Sequence, residues 1–341
     1  MIENNKNLPS VSVLIPTLNA ARVLETCLKS IYEQDYPKSK VEIIIADGGS
    51  TDKTLEIAKE FETQVCQNPL KTAEAGKATA LRQAKGELVA LVDSDNFLPD
   101  KFWLKKMVEP FSDKEILGAE PWEFTHRRND SLINRYCALL GMNDPYCFFI
   151  GNYDKRCFIS GKWTGLALPQ EDKGNFIKIK MSGQALPTVG ANGTIWRAKV
   201  LKETVGRENY LFDTDIPYFL ASKQPFYFAK VKVSITHDFC HRFRDFYRKQ
   251  KRRAKDFFYL EKKKTRKGTY QRQMGKQLYF ILASVFLLPL FYQAIKGYLR
   301  KPDKAWLFHP IACLVTLWVY GTETLLSKVK IGEMSRKGWG Q

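Results

Sequence analysis

Three short apolar runs constrain this chain more than anything else in it: residues 11–15 (VSVLI), 41–46 (VEIIIA) and 88–92 (LVALV). Each suits a buried strand, and each is cut off by turn-forming or acidic residues. Pro16, Thr17 and Asn19 follow the first, Asp47-Gly48-Gly49 the second, and Asp93-Ser94-Asp95-Asn96 the third. Between them the period changes. Residues 23–32 place Val23, Leu24, Cys27, Leu28 and Ile31 at helical spacing. Ser50, Thr51 and Asp52 are N-cap candidates for a helix running to Phe61, a weaker strand lies near 63–66, and 77–84 reads as a further helix. Strands alternating with amphipathic helices predict an α/β fold with a mostly parallel, Rossmann-like sheet covered on both faces. Ligands of such sheets bind beyond the carboxyl ends of the strands. Thr17, Asn19, Asp47, Asp93 and Asp95 are therefore expected to converge.

Asp93 and Asp95 flank one residue just after a buried strand. Two carboxylates so placed repel unless a cation or a donor neutralises them, and hard oxygen ligands suit Mg²⁺ or Mn²⁺. An ion there, holding a diphosphate, would offset charge growing on a departing nucleotide. Asp47 reads in two ways: it accepts from a base N–H, or it caps the helix that follows GGST.

The blocks SVLIPTLNAARVLETCLKSI, EIIIADGGSTDKTLEIAKEF and GKATALRQAKGELVALVDSDNFLPDKFW, in that order, resemble the inverting family 2 glycosyltransferases of GT-A fold. The resemblance covers residues 10–110 and continues more loosely to 255. It implies a nucleotide-diphosphate sugar donor and Mg²⁺ or Mn²⁺. By it, Pro16, Thr17 and Asn19 begin the nucleotide site, Asp47 contacts the base, and Lys77 and Arg82 belong to the block lining the nucleotide pocket. Asp93, with Ser94 beside it, faces the ribose, and Asp95 binds the metal. The acidic residue that often follows the asparagine is Ala20 here, which leaves one nucleotide contact open.

Beyond residue 118, PTVGANGTIWR (187–197) resembles the acceptor-side segment of the same enzymes, with Asn192 and Gly193 as acceptor contacts. Small residues there let the backbone approach a sugar closely. The resemblance implies an acidic pair, usually Glu-Asp, near YLFDTDIPY (210–218); Phe212 stands at the Glu position, and Asp213 is expected to be the general base that inverting displacement requires, with Asp215 in reserve; either also reads as a cap of the helix through 216–221. His237 follows an alternating run, 231–236; a histidine in this region completes a metal site in related enzymes, and a lone histidine at a strand end otherwise reads as structural. In RDFYRKQKRRAKDFF, Gln250 and Arg253 match a Gln-x-x-Arg-Trp segment of processive members, but Ala254 stands where Trp would be. Arg248 and Arg252 are expected to face the donor diphosphate or a lipid phosphate, the alternative being a solvated or headgroup-facing surface. Residues 131–166 read as neither a clean helix nor a clean strand, and suit a membrane-facing collar or a local core.

Net charge is +18 over 341 residues, unevenly spread. Residues 1–118 carry 15 Lys+Arg against 18 Asp+Glu, whereas residues 241–276 carry 15 against 3. An uncharged apolar run, 278–295, follows that basic segment, and a second, 306–320, follows a short basic linker. A polybasic segment beside apolar runs suits an anionic cytoplasmic leaflet. The first run is just long enough to cross a bilayer; the second, with His309 and Pro310, is expected to dip in. The polar opening residues predict no cleaved export signal. Seven scattered cysteines without a CxxC pair indicate neither a zinc site nor a disulfide framework. An acidic nucleotide half is poor for phosphate backbones, so no nucleic-acid partner is expected.

The expected organisation is a nucleotide-sugar half (1–118), an acceptor half (119–240), a basic juxtamembrane segment (241–276), two apolar membrane helices, spanning or re-entrant (277–326), and a basic tail (327–341). The expected activity is sugar transfer, with inversion, onto a lipid-linked glycan at the cytoplasmic face of the cell membrane. The alternative is transfer straight to a polyprenyl phosphate. A non-enzymatic basic binding protein accounts for the charge but not for acids at successive strand ends.

Overall fold

A computed structural model describes residues 7–183, 185–262 and 273–327. Most of the expected basic tail and part of the basic juxtamembrane segment lie outside the described residues.

The first half alternates as the sequence predicts: β1 (Val11–Thr17), α1 (Ala21–Tyr32), β2 (Val41–Asp47), α2 (Thr54–Glu60), β3 (Gln64–Gln67), α3 (Ala73–Gln83) and β4 (Leu88–Leu91). A two-residue strand, β5 (Asn96–Phe97), α4 (Trp103–Val108) and β6 (Ile116–Phe124) follow. Then come α5 (Leu132–Leu140), α6 (Tyr146–Ile150), β7 (Gln170–Asp172), β8 (Phe176–Met181), β9 (Thr194–Arg197), α7 (Ala198–Val205), α8 (Ile216–Lys223) and β10 (Phe226–His237). Four helices close the described chain: α9 (Phe243–Lys262), α10 (Met274–Phe286), α11 (Leu288–Arg300) and α12 (Phe308–Ser327).

The strands form one sheet in the order β3-β2-β1-β4-β9-β6-β10-β8-β7, with β5 paired to the end of β10. β1, β2, β3 and β4 are parallel neighbours, β6 and β10 are parallel, and β9 runs antiparallel between β4 and β6. Chain order reverses beside β1, between β2 and β4, so the crevice for a ligand opens at the carboxyl ends of β1 and β4.

Local chemistry sets this geometry. The five apolar positions of α1, Val23, Leu24, Cys27, Leu28 and Ile31, are its buried face. The third helix starts four residues before the expected 77, capped by the Thr72 hydroxyl, which accepts from the Ala75 N–H at 3.2 Å. Its inner face is made of small residues. A methyl on Gly76 would stand 2.8 Å from Cβ of Pro16, so glycine lets α3 lie flat on β1 and carry Lys77 to the strand ends.

The C-terminal helices differ from expectation in shape. The first apolar run is not a straight helix: α10 and α11 meet at Leu287 (φ 61°) with a bend of 92°. Pro289, two residues on, lacks the N–H a continuous helix needs and restricts the residue before it. Lys304–Ser327 is instead the long apolar element, 24 residues, and half of its most apolar window is buried against the protein. It is the one single helix long and apolar enough to cross a membrane among the described residues. Residues 131–166 contribute α5 and α6 to a local core that also takes Trp306, Phe308 and Ala312 from the C-terminal hairpin. Asp303 ties the same hairpin down, 2.8 Å from His126 and 3.1 Å from Arg135.

Candidate active site

Loops at the carboxyl ends of β1, β2 and β4 meet here, and two of them bear acids: Asp47 at the end of β2, and Asp93 and Asp95 after β4. After β2, Asp47 accepts from the Thr17 hydroxyl at 2.9 Å, the Ser50 hydroxyl at 2.6 Å, and the Gly49 and Ser50 N–H groups at 2.9 and 2.8 Å. Asn19, at φ 50°, accepts from the Thr51 N–H at 2.9 Å. Asp47 and Asn19 thus shape the two loops that frame the crevice. Asp52, an N-cap candidate, accepts from the Thr54 N–H at 3.0 Å at the start of α2.

Lys77 lies at the centre. Its side chain is buried, with Nζ 3.5 Å from Asp93 Oδ1 and 3.8 Å from Asp213 Oδ2. Burial opposes its charge, but Asp213 and then Asp93 more than offset that, and Lys77 stays protonated well above the ordinary lysine range. Asp213 reaches this point because the Leu211 N–H donates to the carbonyl of Glu74, one turn before Lys77 on α3, at 2.9 Å. Asp213 and Asp215 open a short 3₁₀ turn before α8. Asp213 faces Lys77, while Asp215 is buried and lines a separate hollow with Thr204, Tyr210 and Phe219.

The acceptor-side segment closes over the end of β4. Gly193, at φ 76°, donates its N–H to the carbonyl of Leu91 at 3.0 Å, and Asn96 donates to Asn192 Oδ1 at 3.2 Å. A Cβ on Gly190 would stand 3.9 Å from Asp213 Oδ2. Asn192, Gly193, Asp213, Lys77 and Asp93 are therefore gathered at one place.

Asp95 and His237 meet beside it. The register of β5 on β10 sets His237 opposite Asn96, and the Asp238 N–H donates to the carbonyl of Asp95 at 2.8 Å. His237 Nε2 then lies 3.5 Å from Asp95 Oδ1, and Lys249 Nζ lies 3.9 Å from Oδ2. Although burial raises the Asp95 carboxyl, His237 and Lys249 pull it down to about 2.

Arg82 is set apart: it is exposed and donates to the Glu208 carbonyl at 3.4 Å and to Thr79 Oγ1 at 3.1 Å. Arg248 on α9 pairs with Asp245 at 3.3 Å. Sequence reasoning missed a buried ionic cluster under the acceptor segment. Glu120 on β6 accepts from Lys155 at 2.6 Å and lies 3.0 Å from Lys230 on β10, while Lys155 also reaches Asp154 at 2.9 Å. Asp154 Oδ2 in turn accepts from the Gly190 N–H at 3.4 Å. No sequence signal separates buried Lys230 from Lys232 two residues on, which pairs with Asp172 at the surface.

Residues 12–164 match the model of the glycosyl transferase family 2. A glycosyltransferase of Haloferax volcanii, AglE, is 33% identical over 143 residues, covering 40% of this chain and 46% of that protein. A dolichyl N-acetyl-α-D-glucosaminyl phosphate 3-β-D-2,3-diacetamido-2,3-dideoxy-β-D-glucuronosyltransferase of Methanococcus voltae is 32% identical over 118 residues, covering 33% of this chain and 36% of that protein. The matched segment thus spans under half of either relative. Among solved structures, the mannosyltransferase PcManGT of Pyrobaculum calidifontis, in complex with GDP-Man and Mn²⁺, superposes with a TM-score of 0.52 at 16% identity, over 93% of this chain and 88% of that one. The fold is GT-A-like, a mixed but mostly parallel sheet between helices.

Proposed function

We infer, from a chain whose residues 12–164 are a glycosyl transferase family 2 domain, that it moves one sugar from a nucleoside-diphosphate donor to a hydroxyl of a lipid-linked glycan, with inversion, at the cytoplasmic face of a membrane. The observation that carries this reading is Lys77 held between Asp93 and Asp213. One carboxylate comes from the donor-side strand end and one from the acceptor side, and they meet under the glycine-bearing segment at Gly190. Asp213 takes the hydroxyl proton as the acceptor oxygen attacks the anomeric carbon from the face opposite the diphosphate. Asp93 faces the ribose and the loops around Asn19 and Asp47 enclose the base. Arg248 and Arg252, on the basic helix α9, face the donor diphosphate or a lipid phosphate.

Asp95 and His237 fit a Mg²⁺ or Mn²⁺ ion. A carboxylate oxygen and an imidazole nitrogen 3.5 Å apart can share one cation, and no third His, Cys, Asp or Glu joins them among the described residues. Such a set leaves coordination positions for diphosphate oxygens. Bound there, the cation supplies positive charge opposite that growing on the leaving nucleotide. Relatives support the reading: AglE is a glycosyltransferase, the M. voltae enzyme is named for a dolichyl-phosphate-linked acceptor, and PcManGT holds GDP-Man with Mn²⁺.

Titrating the protein with UDP and GDP sugars, with and without Mn²⁺, tests this. Metal-dependent binding of one donor class is expected, and Asp95→Ala should weaken it by about tenfold or more. Metal-dependent binding to none of the sugars would overturn the reading.

Membrane attachment is supported by how α10 and α11 present themselves. Phe286, Leu288, Tyr292 and Leu299 are each more than 60% exposed, the reverse of a soluble amphipathic helix. Basic α9, with Lys296, Arg300 and Lys301, lies beside this apolar surface in the sequence and suits anionic headgroups. In flotation assays the protein should bind vesicles containing anionic phospholipid, with binding weakened but not abolished by 1 M salt. Failure to float with such vesicles would remove the membrane from the proposal.

A further inference from the structure

Gln250 and Arg253, which match part of the Gln-x-x-Arg-Trp segment, both bond to the backbone of this chain at Asn143. Gln250 is fully buried and donates from Nε2 to the carbonyl of Asn143 at 2.8 Å. Arg253 reaches the same carbonyl at 3.5 Å and Gln250 Oε1 at 2.6 Å. The next residue, Asp144, accepts from the hydroxyl of Tyr320 on α12 at 2.5 Å and lies 3.8 Å from Arg253. Two C-terminal helices therefore hold the backbone at 143–144. The Asn143 side chain stands with Nδ2 3.3 Å from Nδ1 of His237, whose Nε2 faces Asp95. The rings of Phe124 and Phe239, each 5.5 Å from the imidazole centroid, fix the plane of His237.

We propose that Asn143 is a positioning residue for a divalent cation at Asp95 and His237, acting by the orientation of its side-chain amide. The proposal rests on reading that pair as the cation site. The Asn143 NH₂ faces Nδ1 of His237, so that nitrogen is the acceptor and the proton of a neutral ring falls on Nε2, on the side of Asp95. A ligating Nε2 must present its lone pair, so a neutral imidazole must carry its proton on Nδ1. One proton leaves Nε2 to solvent and one is taken up at Nδ1, with no net change. The Nδ1–H then needs an acceptor, and a half-turn of the Asn143 amide supplies Oδ1 while Gln250 and Arg253 keep the backbone in place. Partners of this kind on the far nitrogen of a ligating histidine govern metal affinity. Gln250 and Arg253 of α9 and Tyr320 of α12 thereby support the cation site through the backbone at 143–144, beside the direct approach of Lys249 of α9 to Asp95.

Electron paramagnetic resonance of free Mn²⁺, titrated with the full chain alone and with UDP or GDP, tests the proposal. Asn143→Ala should weaken Mn²⁺ binding by about 10–100-fold. Asn143→Asp, which only accepts at Nδ1–H, should bind Mn²⁺ at least as tightly as the wild type. Wild-type affinity in Asn143→Ala, or equal losses in both variants, would overturn the proposal. No Mn²⁺ binding by the wild type would overturn it together with the cation site. Loss in Asp95→Ala with full affinity in Asn143→Ala would overturn it while leaving that site standing.

Discussion

Asp213→Asn is expected to lower turnover by about 10²–10⁴-fold, the usual contribution of a positioned general base, with donor affinity within a factor of about three of the wild type. The substitution keeps the side chain's shape and one oxygen near Lys77, but it removes the group able to take a proton. Initial rates with a hydroxyl-bearing lipid-linked acceptor measure the first quantity, and calorimetric titration of the donor measures the second. Asp215→Asn serves as the internal comparison. Asp215 lines a different hollow, between α7 and α8, so its loss should reach activity only through stability. Turnover near the wild-type level in Asp213→Asn would point to an acceptor that is already anionic. A polyprenyl phosphate oxygen attacks without losing a proton, which is the alternative reading of this chain.

The same pair of residues marks how much the sequence could say. Strand ends and helix faces were legible because burial follows local period: the five apolar positions of α1 are its five buried ones. The place of Asp95 was legible too, since a carboxylate just past a buried strand sits at the mouth of a parallel sheet. What brings Asp213 to Lys77 is a backbone hydrogen bond between Leu211 and Glu74, far apart in sequence and carried by no side-chain pattern. Likewise His237 meets Asp95 through a two-residue ladder too short to show periodicity. The apolar run at 278–295 was read as one element because it holds no charge. Backbone chemistry at Leu287 and Pro289, not hydropathy, breaks it. Gln250 and Arg253 show the converse: the spacing matched a motif, but the side chains point into the protein and serve Asn143.

The buried cluster under the acceptor segment gives the largest expected effect on stability. Glu120, Lys155 and Lys230 are all fully buried. Burial pushes the Glu120 carboxyl up to about 7 against the pull of Lys155 and Lys230, and pushes Lys230 down to about 8 against the pull of Glu120. Lys155, buried as well, is held protonated by Asp154 and then Glu120. Glu120→Leu leaves two buried ammonium groups facing one carboxylate, and the loss should be about 3–5 kcal/mol, read from urea denaturation midpoints. Adding Lys230→Met should recover a large part of that loss, because Lys155 keeps Asp154 and an apolar pair replaces an ion pair of similar volume. A double variant no more stable than the single one would mean that the charges do not oppose one another in this way. The recovered variant should still turn over more slowly than the wild type. Lys230 also donates to the Asp154 carbonyl, and Asp154 holds the Gly190 N–H beside Asp213. Stability regained without rate would assign the cluster's charges to placing the acceptor segment over the base, a task that an apolar core of equal volume cannot perform.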